Sequence, residues 1–289
     1  MKVVAFSYEI GSFGKSIAMD LAQNAALTLH PFREVYELAQ ARNERFRRRR
    51  QEVVEGRAEI DIWEGHFFHE PSFTSLFEAL VLELAGRGDV ILVGAAVQAV
   101  LREVANIILV HVRAPLPVRV SRFMELNGLT VAEANQTVRW WDQRRRAIFE
   151  INARFEDLPG SCDLIINSDR VSIPAASRLL QTLVAESPGP ADPAAWRARL
   201  AQEALAKRVE CAVRERHSAL GLAPLEVRPS EEKPETLILT GFIHRSEDQR
   251  AILAQARAAA EGREVIAQLK ELKLHGDLMP AHLLGGPRL

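Results

Sequence analysis

A chain of 289 residues exceeds the usual size of one domain, so two domains are expected. Its apolar fraction of 47%, beside 26% charged residues, is ordinary for a soluble globular protein that buries a core. A formal net charge of −1 argues against wholesale electrostatic binding to nucleic acid, and no stretch reaches the ~18 uninterrupted apolar residues of a membrane span. The two cysteines, Cys162 and Cys211, are far apart and lack a metal-ligand spacing. A disulfide framework is therefore not expected, and a reducing cytoplasm suits the chain. The N-terminal MKVVAFSYEIG is followed by Gly-Lys-Ser and not by a long apolar run with a cleavage site, so no secretory signal is read there.

In chain order, Val3 to Ser7 is an apolar run of strand length that ends in a glycine-containing loop. From Gly14 onward the spacing is helical, with Ile17, Leu21 and Ala25 on one face. Residues 34–70 form a mostly polar insertion of the kind that covers a substrate. Three further short runs, Val90–Val93, Ile107–Val110 and Asp163–Ile166, have the character of buried parallel strands. Helical patterns over 72–86, 95–104, 115–127 and 130–156 separate them, which argues for an α/β sheet covered on both faces. The proline-rich stretch Ser187 to Pro193 marks a break. Beyond it come a long helix (196–219), an extended stretch (Leu225–Arg228), a strand (Thr236–Ile243), a helix (245–261) and a last strand (Glu264–Leu269). This reading gives domains over 1–186 and 197–272, a linker over 187–196 and a tail over 273–289.

The loop after the first strand carries the chemistry. Gly14-Lys15-Ser16 matches the end of the G-x-x-x-x-G-K-[ST] phosphate loop, but Glu9 stands at the place of the first glycine. Small residues let successive backbone N–H groups wrap phosphates, with a helix N-terminus behind them. Gly11, Ser12, Phe13, Gly14, Lys15 and Ser16 are the candidate nucleotide-binding residues. Lys15 would neutralise the terminal phosphates, and the Ser16 hydroxyl would hold magnesium. Phe13 is unexpected where glycine adopts the loop conformation freely. The competing reading is a plain strand–turn–helix connection.

Several segments together resemble the cytidylate kinase-like family. Tyr8 to Lys15 is similar to that family's EIGSGG-type loop, and Asp89 to Ala96 to its strand ending in Gly-Arg-Gly or Gly-Arg-Ala. His111-Val112-Arg113-Ala114-Pro115, followed by Arg119 and Arg122, resembles the approach to its lid. Gly128 to Ala134, then Asp142-Gln143-Arg144-Arg145, is similar to its D-x-x-R stretch, and Cys162 to Ser168 to its closing strand. The likeness covers about residues 1–184. It implies phosphoryl transfer from ATP, with Mg2+, to a nucleoside monophosphate on a P-loop kinase-like sheet, a cytidine nucleotide being the first guess. Lys15, Arg119, Arg122 and Arg145 are then the cations around the phosphates, suited to charge spread over phosphoryl oxygens. Asp142 and Arg145 match the positions that contact the acceptor nucleotide. The alternative for these side chains is a solvated helix face with local ion pairs.

Departures from the family favour a second reading. Ala95 stands where the family has an arginine, Glu9 and Phe13 stand where glycines are easier to explain, and no clear Walker B aspartate ends a strand. The second reading is a nucleotide-binding regulatory protein without efficient turnover.

The remaining constellations are weaker. Arg45 and Arg47 to Arg50 are flanked by Glu44, Glu52 and Glu55, as on a solvated face. His66 and His69 lack a third ligand cluster, so no metal site is expected there. One of Trp140 and Trp141 is expected in the core and the other at a cleft or interface. Residues 197–272 resemble a BON domain through Val209, Val213, the stretch Leu237 to Ile243 and the Glu261–Val265 turn. That implies a small α+β binding module for a lipid or small ligand; the alternative is a generic α/β appendage or a dimerisation unit, which would make the chain a homodimer.

Overall fold

The computed structural model describes residues 1–43, 71–151, 162–217, 225–243, 245–246 and 248–271. The basic run Arg45–Arg50, His66, His69, most of the expected insertion and the expected tail lie outside the described residues. The chain divides into two compact units, Met1–Lys207 and Arg208–Leu289.

The first unit is a parallel sheet built from short apolar runs. Its strands are β1 (Val3–Tyr8), β2 (Thr28–His30), β3 (Val90–Val93), β4 (Ile108–Arg113) and β5 (Leu164–Asn167), in the spatial order β2-β3-β1-β4-β5. Every pairing is parallel, so all five strands present their carboxyl ends at one edge. β1 lies at the centre, where Val4, Ala5 and Phe6 are fully buried, as expected of a strand covered on both faces.

Strand alternation sends successive side chains to opposite faces. On one face Val4, Phe6, Ile108, Val110 and Val112 pack with Ile17 and Leu21 of α1 (Gly14–Asn24) and with Ala176 and Leu180 of α7 (Ile173–Glu186). The intervening residues Ser7 and His111, paired in register across β1 and β4, face the other way. There they meet Gln98 of α4 (Ala95–Leu101). The remaining helices of this unit among the described residues are α2 (Phe32–Ala41), α3 (Pro71–Arg87), α5 (Leu116–Asn127) and α6 (Val131–Ile151). α3 buries most of its surface, including Phe73, Phe77, Leu80 and Leu84. α5 and α6 meet through Val120, Ala134 and Val138. A capping box starts α6: the Glu133 carboxylate accepts from the Thr130 N–H at 2.8 Å, and the Thr130 hydroxyl accepts from the Glu133 N–H at 3.3 Å.

The long helix α8 (Pro193–Arg216) begins inside the stretch expected as a linker. Asp192 caps it, accepting from the N–H groups of Ala194 and Ala195 at 2.9 Å each, and Pro193 takes the first helical position, where its missing N–H costs nothing. The early turns of α8 belong to the first unit. The Trp196 indole N–H donates to the Ala105 carbonyl at 2.9 Å, and Lys207 pairs with Glu78 at 2.7 Å. The two units divide within α8, near residue 207.

The second unit contains the end of α8, strands β6 (Leu225–Pro229), β7 (Thr236–Ile243) and β8 (Glu264–Glu271), and helix α9 (Asp248–Ala259). β7 is central, antiparallel to β6 and parallel to β8, with α9 as the crossover. Glu210, almost fully buried on α8, accepts from the Val227 N–H at 3.2 Å and from Arg214 Nε at 3.1 Å; Arg214 in turn donates to the Leu225 carbonyl. This carboxylate–guanidinium pair ties the outer edge of β6 to the helix. Among the described residues no helix is long and apolar enough to cross a membrane.

The placement of Trp196 makes a prediction. Trp196→Ala removes a largely buried indole and leaves the Ala105 carbonyl without its donor, so it destabilises the first unit by about 3 kcal/mol. Urea unfolding of a fragment ending near residue 207, with and without the substitution, measures this; an unchanged midpoint would detach the start of α8 from the unit.

Candidate phosphate-binding site

The site forms where β1 turns into α1 at the carboxyl edge of the sheet. Glu9 to Ser12 make a four-residue turn, closed by the Ser12 N–H donating to the Glu9 carbonyl at 3.0 Å. Gly11 sits third in that turn with φ of 78°, the left-handed region a glycine enters without strain. A Cβ there would lie 2.5 Å from the Arg119 carbonyl oxygen, so glycine is also required for the close approach of α5. Gly14 is needed for a similar reason: a Cβ would meet Cβ of Tyr8 at 2.2 Å. Both glycines serve packing of the loop against its neighbours.

Phe13 stands at the N-cap of α1 with φ of 58°, a left-handed conformation that strains a non-glycine residue by roughly 1 kcal/mol or more. Its ring lies beneath Arg122, with Cζ 4.4 Å from the ring centroid, a cation–π contact that offsets part of this strain. Arg122 is further fixed by Ser168, whose hydroxyl and carbonyl oxygens each accept at 3.0 Å. The Phe13 side chain makes no capping hydrogen bond, so among the described residues the N-cap position leaves the first-turn N–H groups of α1 without a side-chain cap. Lys15 and Ser16 are exposed on that first turn. Ser12 is turned inward instead, its hydroxyl donating to the Val112 carbonyl at 3.3 Å.

Behind the loop lies a buried ion network. Arg119 is 5% exposed and grips Asp142 bidentately, Nη1 to Oδ1 at 3.1 Å and Nη2 to Oδ2 at 2.8 Å. The same guanidinium donates to the Ala114 carbonyl at 2.9 Å and to the Ile10 carbonyl at 3.4 Å. Its Nε lies 3.1 Å from Oε2 of Glu9, which also accepts from the Ala114 N–H at 3.2 Å. Arg145 donates from Nη2 to Oε1 of Glu9 at 3.4 Å, and burial pushes its pKa down against the opposing pull of Glu9 and Asp142. Two cations and two anions thus balance in a small volume. Arg119, Asp142 and Arg145 are brought together, Arg122 is joined to Phe13, and Lys15 with Ser16 stands on the helix turn. Among the residues singled out in the sequence, Trp140 and Trp141 meet edge to face at 5.1 Å.

A second buried layer was not legible in advance. His111 Nδ1 lies 2.8 Å from Ser7 Oγ, and that hydroxyl donates to Gln98 Oε1 at 2.5 Å. A serine has one proton to give, so the imidazole must be the donor in its own bond and carries its proton on Nδ1. Gln98 Nε2 completes the chain through the Val110 carbonyl at 3.3 Å and Cys162 Sγ at 3.4 Å. Burial, then the charges of Arg145, Arg113 and Arg119, push the His111 pKa down to about 3. The imidazole is therefore neutral under the loop. The one available signal was a histidine interrupting an otherwise apolar strand.

A nucleotide phosphate and its magnesium fit the residues present at the loop. The first turn of α1 offers N–H groups without a side-chain cap, Lys15 an exposed ammonium and Ser16 an exposed hydroxyl. Among the described residues no cluster of three or more His, Cys, Asp or Glu is arranged to hold a metal.

The buried histidine gives a pH dependence with a definite sign. Its folded pKa lies below its unfolded value of about 6.5, so the unfolded chain binds the extra proton between about pH 6.5 and pH 3. Stability is then full above pH 6.5 and falls as the pH drops, by about 2 kcal/mol at pH 5. Urea midpoints at pH 7 and pH 5 test this: His111→Gln should lose that part of the acid sensitivity. Equal sensitivity in the two proteins would contradict the neutral, buried imidazole.

No curated protein matches the chain significantly. Among solved structures, an uncharacterized protein from Eubacterium ventriosum matches at 15% identity and TM-score 0.50, covering 64% of this chain and 99% of its own. TT1252 from Thermus thermophilus matches at 18% identity and TM-score 0.43, covering 65% and 98%. Shikimate kinase from Bacteroides thetaiotaomicron matches at 14% identity and TM-score 0.41, covering 64% and 98%. At such identities the first likeness speaks for the fold alone. The profile of the cytidylate kinase-like family matches residues 3–170, supporting nucleotide-dependent phosphoryl transfer as the general chemistry. With more than half its length matched, the chain belongs to the cytidylate kinase-like family.

Proposed function

We propose that the protein transfers a phosphoryl group from ATP to a nucleoside monophosphate, with a cytidine nucleotide as the first candidate acceptor. The observation that carries this reading is the first turn of α1: no side-chain cap, an exposed Lys15 and an exposed Ser16, at the carboxyl edge of a parallel sheet. Bound ATP–Mg would supply the transferable phosphoryl group and part of its charge neutralisation. The Lys15 ammonium neutralises terminal phosphate oxygens, and the Ser16 hydroxyl is the loop's ligand for the metal. Arg119 and Arg145, paired with Glu9 and Asp142, hold guanidinium groups beside the turn, and Arg122 adds a third over Phe13. Such fixed cations stabilise the charge that spreads over phosphoryl oxygens during transfer. Asp142, committed to Arg119, acts as a positioning residue.

The second unit, by its order of helix, two strands, helix and strand, is proposed as a BON-like module that binds a small ligand or a lipid without catalysis. A reducing cytoplasm is the proposed setting, supported by two cysteines that lie far apart in sequence without a metal-ligand spacing.

A coupled assay of ADP production, run across nucleoside monophosphates, tests the enzymatic reading. The cytidine nucleotide should give the highest turnover, and Lys15→Ala should lower kcat/KM by about 100-fold or more while leaving the urea midpoint unchanged. ATP binding that depends on Lys15, without turnover on any acceptor, would overturn it.

A further inference from the structure

The arginine pair behind the loop already holds an anion, and that anion belongs to the protein. Oε2 of Glu9 is met by the Ala114 N–H at 3.2 Å and Arg119 Nε at 3.1 Å, and Oε1 by Arg145 Nη2 at 3.4 Å. The donor set exceeds what the carboxylate uses, because Arg145 Nε is buried with no hydrogen-bond partner among the described residues. Buried donors are almost always satisfied, so an orphaned guanidinium N–H at a charged cluster calls for an explanation. A carboxylate offers two oxygens in a plane. A phosphoryl group offers three around a tetrahedron and engages a guanidinium fork through two of them.

Charge leads to the same conclusion. Arg119 and Arg145 are balanced by Glu9 and Asp142, so the cluster is neutral as it stands. A dianion entering beside both carboxylates would meet strong repulsion in this poorly hydrated volume. Asp142 is gripped by two hydrogen bonds at 2.8 and 3.1 Å, whereas Glu9, exposed to the same degree, is held by contacts of 3.1 to 3.4 Å at the head of the turn. Glu9 is the carboxylate that can leave.

We propose that Glu9 is an internal counter-anion that keeps the Arg119–Arg145 cradle closed, and that the phosphate of the acceptor binds by displacing it. The inference rests on the phosphoryl-transfer reading above and adds to it a gate at the acceptor side. On displacement, the Ala114 N–H and both Nε and Nη2 of Arg145 become available to phosphate oxygens. Asp142 stays on Arg119 and keeps that guanidinium oriented. The same exchange restores the closed state when product leaves. It also gives Glu9, at the place of a phosphate-loop glycine, a reason to be there.

The test uses inorganic phosphate as the probe, titrated into the full-length protein and followed by calorimetry. Glu9→Gln keeps the shape and an acceptor for the Ala114 N–H while removing the charge, so phosphate affinity should rise at least 10-fold over the unsubstituted protein. The gain should persist in Glu9→Gln/Lys15→Ala and vanish in Glu9→Gln/Arg145→Met. Unchanged or weaker phosphate binding by a folded Glu9→Gln protein overturns the proposal, as does a gain that survives Arg145→Met. A measurement on the unsubstituted protein covers the case in which Glu9→Gln fails to fold. Saturating phosphate should move the Arg145 Nε–H and Ala114 amide resonances, and no movement of either overturns the proposal. Lys15-dependent ATP binding is read separately, so loss of the gate and loss of the phosphoryl-transfer reading give different results.

Discussion

The buried guanidinium of Arg119 is the constraint on which the site depends. It is fixed by Asp142 on one side and by the Ala114 and Ile10 carbonyls on the other, with Glu9 beside its Nε. Through it α5, α6 and the β1–α1 turn are held to one geometry. Removing one partner from such a network would leave an uncompensated buried charge, at a cost of about 3–5 kcal/mol. The close approach of the Arg119 backbone is also what demands glycine at position 11. Loop shape and arginine placement are thus parts of one arrangement.

This arrangement separates two roles that a count of cations would merge. Lys15 stands exposed on the helix turn, free to meet a ligand from solvent. Arg119 is spent largely on protein groups, and Arg122 on Ser168 and Phe13. Arg145 is intermediate, buried yet carrying an unused donor. Beneath them the neutral His111, locked by Ser7 and Gln98, adds polarity to the sheet without adding charge. The loop therefore faces solvent with a cation and rests on a balanced layer.

Much of the fold was legible because its strands are unbroken apolar runs. Val90–Val93 was read with the boundaries it has, and Thr236–Ile243 likewise. β2 was not, since three residues give no periodicity to read. α8 starts three residues before the helix expected from residue 196, for a specific reason: proline inside a chain reads as a break, but after a capping aspartate it opens a helix. At the site, local pattern points to Lys15, Ser16 and the glycines as candidates. Asp142 and Arg145 share a helix, and their spacing allowed an ion pair between them. The structure sends Asp142 to Arg119 and Arg145 to Glu9, 136 residues away in sequence. Helical spacing cannot show a partner that arrives from another element, and the same holds for Ser7, Gln98 and His111.

The proposed phosphoryl transfer requires the first turn of α1 to receive phosphate oxygens while the arginine network keeps its shape. The most direct measurement is a 1H–15N NMR titration of the unsubstituted protein with ATP–Mg. The amides of Gly14, Lys15 and Ser16 should shift together and saturably, with the Arg119 Nε–H resonance still marking its pairing. Saturable ATP binding that leaves those three amides unmoved would contradict the account.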